Sequence, residues 1–234
     1  MKIASIAALS ALALLAACNK PGEVPAASAT SGAQAEAPVT LKAPAGVYAL
    51  DPTHATLQWS LLHNTISHYT ARFDKFEAEL TLDPANLDNS KIAATIDPTS
   101  VSAAYPADYK ATHADSGFAT WDQEIAGSDK FLNARAFPTI TFVSTKVEKT
   151  GARTAKVTGD LTFLGQTHPV TLDATFNGEI ERHPFAQVPA IGFAAEGKFK
   201  RSEFGMGVGP LGDEITIRFD GEFIQKAAPV APAN

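Results

Sequence analysis

The chain is poor in the residues that build redox and metal chemistry. It holds one cysteine, Cys18, in 234 residues. A lone cysteine excludes an internal disulfide, a cysteine-built zinc cage and an iron–sulfur site. Positive charge is also scarce: 19 Lys and Arg stand against 25 Asp and Glu, for a net charge of −6. Such a surface repels a phosphate backbone and argues against nucleic acid as a partner. No apolar run reaches the roughly 20 residues that a membrane-spanning helix needs. Apolar types nevertheless make up 45% of the chain, and phenylalanine alone counts 14 copies. One domain with a sizeable aromatic and apolar interior fits this composition.

The two ends read differently from the middle. Lys2 followed by the small-residue apolar run Ile3–Leu15 has the layout of a secretory signal, so residues 1–17 are predicted to be a signal peptide. Removing Lys2 with it takes the net charge to −7. Leu15-Ala16-Ala17-Cys18 resembles the bacterial lipoprotein box, whose cysteine is acylated and becomes the mature N-terminus. Cys18 is therefore predicted to be lipidated, with several acyl chains giving a firm membrane anchor. Asn19 stands where an inner-membrane retention signal typically carries Asp, which favours the outer membrane, on the periplasmic side; a soluble periplasmic protein is the alternative. Ala, Pro, Ser, Thr and Gly fill 17 of the 26 residues 19–44, a composition that cannot offset its ordering entropy. Residues 18–44 are read as a lipidated tether, 45–226 as the folded domain and 227–234 as a disordered tail.

Within the domain the dominant signal is period two. Ala155, Val157, Gly159, Leu161 and Phe163 alternate with polar residues, as do Val170, Leu172, Ala174 and Phe176. The runs Ile191–Phe199 and Ile215–Phe223 follow the same rule. Each has one apolar and one wet face, the mark of antiparallel strands with one side in water. Gly151, Gly165-Gln166, Asn177-Gly178 and Gly209-Pro210 supply turns between them. Earlier strands are predicted over Val47–Leu50, Thr53–Leu62, Tyr69–Leu82, Lys91–Ile96 and Thr139–Val147, with a β-bulge near Asp74-Lys75 where the phase slips. Residues 101–135 lack alternation and are predicted to hold one or two short helices, Trp121–Ala126 foremost. The fold class is all-β: an eight-stranded antiparallel barrel in preference to a sandwich. Small residues among the inward phenylalanines either fill a taper or leave a cavity, and composition alone does not separate these.

Catalytic constellations are missing. There is no Gly-x-Ser-x-Gly elbow, and no free thiol remains once Cys18 is acylated. Gly207–Gly212 matches the dinucleotide pattern letter by letter but leads into a predicted strand rather than a helix. His63 and His68, five apart, fall on opposite faces of an unbroken strand and make no metal pair. The chain is predicted not to be an enzyme.

Several segments resemble one family. Gly46–His54 is similar to the opening strand of the YceI-like proteins, polyisoprenoid-binding proteins of lipocalin-like fold. Trp59-Ser60-Leu61-Leu62-His63 is similar to the Phe-x-Val-x-His strand of that family. Phe137–Thr145 resembles its Tyr-Pro-x-Ile-x-Phe-x-Ser-Thr segment, Gly159–Leu172 its Gly-x-Leu-Thr hairpin, and Lys200–Gly205 its Arg-Ser-Asp-Phe-Gly turn. The segment Trp121–Phe131 departs from the pattern: it keeps Asp122, Asp129 and Phe131 but lacks the family's two arginines and histidine.

The resemblance implies a lipocalin-like barrel with an elongated apolar pocket. Its implied ligand is a long-chain isoprenoid-type lipid, a polyisoprenoid or an isoprenoid quinone, bound with no further cofactor and no metal. The candidate lining is Trp59, Leu61, Phe73, Phe142, Phe163, Phe176, Phe193, Phe199 and Phe219, each of which would serve equally as plain core. His63 and Arg201 are candidates for the ligand head group, with a structural hydrogen bond or a surface charge as the alternative. The implied function is binding, storage or transport of that lipid in the cell envelope. A partner-binding module with a filled barrel, or a lipid-modifying enzyme, stands as the alternative, and a homodimer is left open.

Overall fold

A computed structural model describes residues 39–227. The predicted signal peptide, Cys18, the tether as far as residue 38 and all but the first residue of the C-terminal tail lie outside the described residues. Ten strands follow one another: β1 (Gly46–His63), β2 (Ser67–Phe73), β3 (Phe76–Leu82), β4 (Lys91–Ile96), β5 (Val101–Ser102), β6 (Ile140–Lys149), β7 (Thr154–Phe163), β8 (Gln166–Ile180), β9 (Ala190–Lys200) and β10 (Leu211–Gln225). Two short helices, α1 (Tyr109–Thr112) and α2 (Trp121–Gly127), lie between β5 and β6.

Every described pairing is antiparallel, and β10 pairs back onto β1, so the sheet closes. Closure removes the exposed edges of an open sheet. β2 and β3 are two halves of one broken strand, both paired with β1, and β5 adds only two residues beside β2. The result is the predicted closed, eight-stranded antiparallel barrel. Apart from the closing β10–β1 pair, strands adjacent around the wall follow one another in the chain, joined by short turns except between β4 and β6, where the long connection carries β5, α1 and α2.

Irregularities in three places separate the wall from its reading in the sequence. The two short runs predicted at Val47–Leu50 and Thr53–Leu62 form one long strand, β1, because the chain bulges between them without leaving the sheet. Opposite it, pairing passes from Phe223 at Leu50 to Gly221 at Ala55, so Pro52, Thr53 and His54 protrude. Proline has no N–H to give a ladder, and the bulge spares it that role. The Asp51 carboxylate closes the bulge, accepting from Thr53 N at 2.9 Å and Thr53 Oγ1 at 2.6 Å.

The predicted bulge at Asp74-Lys75 is a full break. There Asp74 N donates to Ser100 O and Lys75 N to Ser100 Oγ, both at 3.0 Å, so the segment before β5 takes over the backbone groups of the break. Asn177-Gly178, predicted as a turn, instead lies inside β8. The register with β9 slips between Phe176 and Gly178, and the Arg153 guanidinium donates to Phe176 O and Asn177 O at 2.6–3.0 Å. A bulge there satisfies both carbonyls from outside the ladder.

Each barrel end is closed by its own apolar cluster. At one end α2 brings Ile125 and Ala126 over Phe73, Phe142, Phe163 and Phe204. At the other, Tyr48, Leu80, Leu82, Phe176, Ile191 and Phe223 pack together with Ala43. Residues 39–44, assigned by composition to the tether, are thus part of the folded body. Glu179 accepts from Lys42 N at 2.8 and 3.0 Å and from Ala43 N at 2.8 Å, and Tyr48 Oη donates to Pro44 O at 2.7 Å. The wet face carries cross-strand ion pairs such as Lys156–Asp173, Lys198–Glu214 and Arg218–Glu196. Exposed pairs of this kind stabilise little and mainly keep the outer face solvated. No helix among the described residues is long and apolar enough to cross a membrane.

Candidate functional site

The barrel encloses a cavity of about 430 Å³ that runs from Trp121 and Met206 near α2 to Val39 and Leu41 at the other end. Its wall is almost wholly hydrocarbon. Trp59, Leu61, Phe73, Phe142, Phe163, Phe176, Phe193, Phe199 and Phe219 all line it. They come from β1, β2, β6, β7, β8, β9 and β10, and alternation along each strand is what turns them inward. Trp59, Phe193, Phe199 and Phe219 are only half-buried although they sit on the inner face. Part of their surface has no protein packed against it, as a hollow interior requires.

The small inward residues divide into two kinds. A Cβ at Gly159 would lie 2.5 Å from the Phe142 ring, and one at Gly197 would lie 2.4 Å from Leu172 Cδ2. These glycines make room for a neighbouring side chain and add nothing to the cavity. The alanines do: Ala155, Ala174 and Ala195 are direct cross-strand partners on β7, β8 and β9, and all three line the space. Phe219 is paired with Ala195 and faces along the same row. Aromatic rings pack in pairs along the cavity, Phe163–Phe199 at 6.1 Å and Phe76–Phe219 at 6.4 Å edge to face, and Phe176–Phe193 at 6.0 Å tilted, between centroids.

Polar groups along the wall are few: His63, Tyr69, Trp121 and Arg201 on the α2 side, and Ser90, Lys91, Lys149, Arg153 and Thr154 elsewhere along it. The Trp121 indole donates to Tyr69 Oη at 2.7 Å, and the Trp59 ring lies 5.9 Å from that of Tyr69. Burial first, and the nearby Asp122 charge to a lesser degree, push the Tyr69 phenol above its ordinary pKa against the opposing Trp121 bond. Trp59 Nε1 is buried with no acceptor, alone in this among the buried side-chain nitrogens and oxygens of the described residues. Tyr69, Trp121, Phe76 and Phe131 line the cavity and were not among the predicted residues. Tyr69 is in phase with Ala71 and Phe73 on β2 and was within reach of the alternation, Phe76 follows the Asp74-Lys75 break, and Trp121 and Phe131 sit in the segment without alternation, where no periodicity marks an inward face.

The two predicted head-group residues sit at the same end. His63 lines the cavity beside the β1–β2 turn. Asn64 and Thr65 have left-handed backbone there, so His63 and His68 lie across a hairpin and not along one strand. Arg201 is 2% exposed, and its guanidinium holds the loop before β10: Nε donates to Gly212 O at 2.9 Å, and Nη2 to Leu211 O at 3.0 Å and to Val208 O. Burial pulls its pKa below the ordinary arginine range. These bonds are the structural role that the sequence left as the alternative. The Gly207–Gly212 segment leads into β10, a strand, as its rejection as a dinucleotide loop requires.

One His and carboxylate group lies on the outer wall, where Asp51, His183 and Glu222 converge. His183 is 5% exposed, and its Nδ1 accepts from Ala186 N at 3.2 Å. That bond leaves the ring proton on Nε2, 3.6 Å from Glu222 Oε2, and denies a metal the lone pair it would need. His54 Nδ1 meets Asp51 Oδ2 at 2.9 Å. The Thr53 hydroxyl first and His54 second hold the Asp51 carboxyl down at about 2. The group brings the β1 bulge beside the β8–β9 turn, with the His54 and His183 rings 6.5 Å apart between centroids.

Comparison with known proteins agrees with this architecture. The YceI-like domain family matches residues 48–223. A UPF0312 protein of Pseudomonas putida (strain GB-1) is 36% identical over 167 residues, covering 71% of this chain and 78% of the relative. The Campylobacter jejuni YCEI protein superposes with a TM-score of 0.58 at 28% identity, covering 69% of this chain and 88% of that one. A polyisoprenoid binding domain from Saccharophagus degradans shares the fold alone, with a TM-score of 0.53 at 13% identity over 76% of this chain and 98% of its own. With three-quarters of its length matched by the family and the predicted closed barrel in place, the chain belongs to the YceI-like family.

Proposed function

We propose that this protein binds a long-chain isoprenoid-type lipid, a polyisoprenoid or an isoprenoid quinone, and stores or carries it in the bacterial cell envelope without chemically altering it. The observation that carries the reading is the continuous apolar cavity, about 430 Å³, threaded through a closed barrel and lined by phenylalanines. Each prenyl unit that leaves water for such a wall gains ~3–4 kcal/mol before the costs of association. Phenylalanine supplies that area with no polar group in need of a partner. The Saccharophagus degradans neighbour, whose name gives polyisoprenoid as its ligand, supports the same class. A filled barrel serving only as a docking module is disfavoured by the uncovered inner faces of Phe193, Phe199 and Phe219.

Among the described residues that line the cavity, none is paired as nucleophile with base or as acid with base, which supports reading the site as a container. Cys18 would tether it to the outer membrane on the periplasmic side through its acyl chains. The test is organic extraction of protein purified from its native host, followed by mass spectrometry. A stoichiometric isoprenoid lipid is the expected result. Protein that carries none, and takes up none when offered, would end this reading.

A further inference from the structure

At the barrel end away from α2, the start of β1, the β3–β4, β6–β7 and β8–β9 connections and the end of β10 come together. The arm of residues 39–44 crosses this end from β1 to Glu179 on β8 and lends Val39 and Leu41 to the cavity wall. Lys91, Lys149 and Arg153 line the cavity here too, and the two lysines are exposed, so the cavity opens to solvent at this end. No carboxylate is among the described lining residues; Asp88 and Glu181 lie on neighbouring turns outside the wall. Lys146, Lys156, Lys198 and Lys226 are the paired lysines of the described residues, which leaves Lys91 and Lys149 without a carboxylate. The Arg153 guanidinium is fixed on the Phe176 and Asn177 carbonyls, 4.8 Å from the centre of the Phe176 ring. At the same end the β8–β9 connection exposes Phe185 by 85% and Ile180 by 45%. A lone exposed apolar residue is ordinary; two of them beside an open, basic rim are not.

We propose that this end of the barrel docks on an anionic phospholipid surface, with Phe185 and Ile180 entering the interface and Lys91, Lys149 and Arg153 meeting its phosphates. The inference rests on the proposed acyl anchor and lipid-binding readings and adds which way the barrel faces. The chain from Cys18 joins the barrel at this end, at Val39, 21 positions on. A stretch of that length spans up to ~70 Å, so the anchor holds the barrel near the membrane and leaves its orientation to the face it presents. A chain of net charge −6 is repelled by anionic lipid as a whole, which makes the basic rim the surface that can approach. An aromatic ring beside basic side chains is the composition of an interfacial contact. Docked in this way, the mouth of the cavity meets the bilayer, and a lipid chain enters it without crossing water. Ile66, 84% exposed on the β1–β2 turn, lies at the opposite end, so the two orientations bring different residues to the lipid.

Cys18 is the only cysteine in the chain, and acylation uses its thiol, so a label enters the mature protein only at an introduced cysteine. Ala186→Cys beside Phe185 and Ser67→Cys beside Ile66 place a nitrobenzoxadiazole fluorophore at exposed positions on the two ends. Each labelled, full-length acylated protein is reconstituted on vesicles of phosphatidylethanolamine and phosphatidylglycerol that carry a doxyl-labelled phospholipid as quencher. The probe at residue 186 should be quenched about twofold or more over that at residue 67. Phe185→Ser should bring it down to the level of the residue 67 probe, and Lys91→Glu with Lys149→Glu should lower it, as should molar salt. Equal quenching at both ends, stronger quenching at residue 67, or quenching at residue 186 that ignores all these changes would overturn the docking face. Two unquenched probes on protein that still floats with the vesicles would also overturn it, and would leave this end free for a protein partner. Protein that does not float with the vesicles would strike the anchor and the docking face with it. Absence of lipid in the extraction described above would strike the role of the cavity and leave this test of docking standing.

Discussion

Arg201 shows how a single residue can look like ligand chemistry in sequence and prove to be architecture in space. A cation in an apolar barrel invites an anionic head group, yet Nε and Nη2 of this one are occupied by the carbonyls of residues 208, 211 and 212. Arg201→Met should therefore destabilise the empty protein by roughly 2–4 kcal/mol, because buried carbonyls lose charge-assisted donors. Arg201→Lys should recover little of it, since a point charge cannot span the fork. Chemical denaturation checks both, and a loss under about 1 kcal/mol for Met would contradict the account. Asp51 makes a second residue-scale prediction. Its carboxyl is held at about 2, below its ordinary value of 3.8, by Thr53 and then His54. A lowered folded-state pKa contributes stability above the unfolded value and loses it as pH falls toward the folded one. The stability gap between wild type and Asp51→Asn should thus be full above pH 4 and shrink between pH 4 and about 2. A gap that stays constant over that range would show that the bulge does not depend on the charged carboxylate.

At the scale of elements, β7 to β10 were legible in the sequence because one buried face and one wet face force strict alternation. The elements that misled did so for local reasons. Asn177-Gly178 carries turn chemistry but sits in β8, since Arg153 from the neighbouring turn satisfies the displaced carbonyls. Val39–Pro44 has linker composition yet packs, since one distant carboxylate, Glu179, gathers its amides. Neither cause leaves a periodic trace. Inward aromatics on the strands, Tyr69 included through its phase with Ala71 and Phe73, were legible for the same reason the strands were, whereas Trp121 and Phe131 were not, because the helical closure has no period of two. Glu179→Ala should release the arm: hydrogen exchange at Lys42 and Ala43 should quicken about tenfold or more, the effect of losing roughly 1.5–3 kcal/mol of charge-assisted bonding. Glu179→Gln should fall between. Unchanged protection would show that Ala43 packing alone holds the arm.

At the scale of the whole molecule, the proposed anchor at Cys18 and the hollow barrel are tested separately. Cys18→Ser should move the mature protein from membrane to soluble fractions or leave its precursor uncleaved; wild-type protein that fractionates as fully soluble would refute the anchor. The central claim is that the barrel is hollow so that a lipid chain can fill it, and Ala174 tests that most directly. It lines the cavity between Ala155 and Ala195, so Ala174→Phe adds a ring where the chain should lie. In a close-packed core such an insertion typically costs ~1–3 kcal/mol or more. A hollow barrel should give an apo melting temperature within a degree or two of wild type together with loss of most uptake of a fluorescent long-chain lipid. A sharp fall in apo stability, or undiminished uptake, would contradict it.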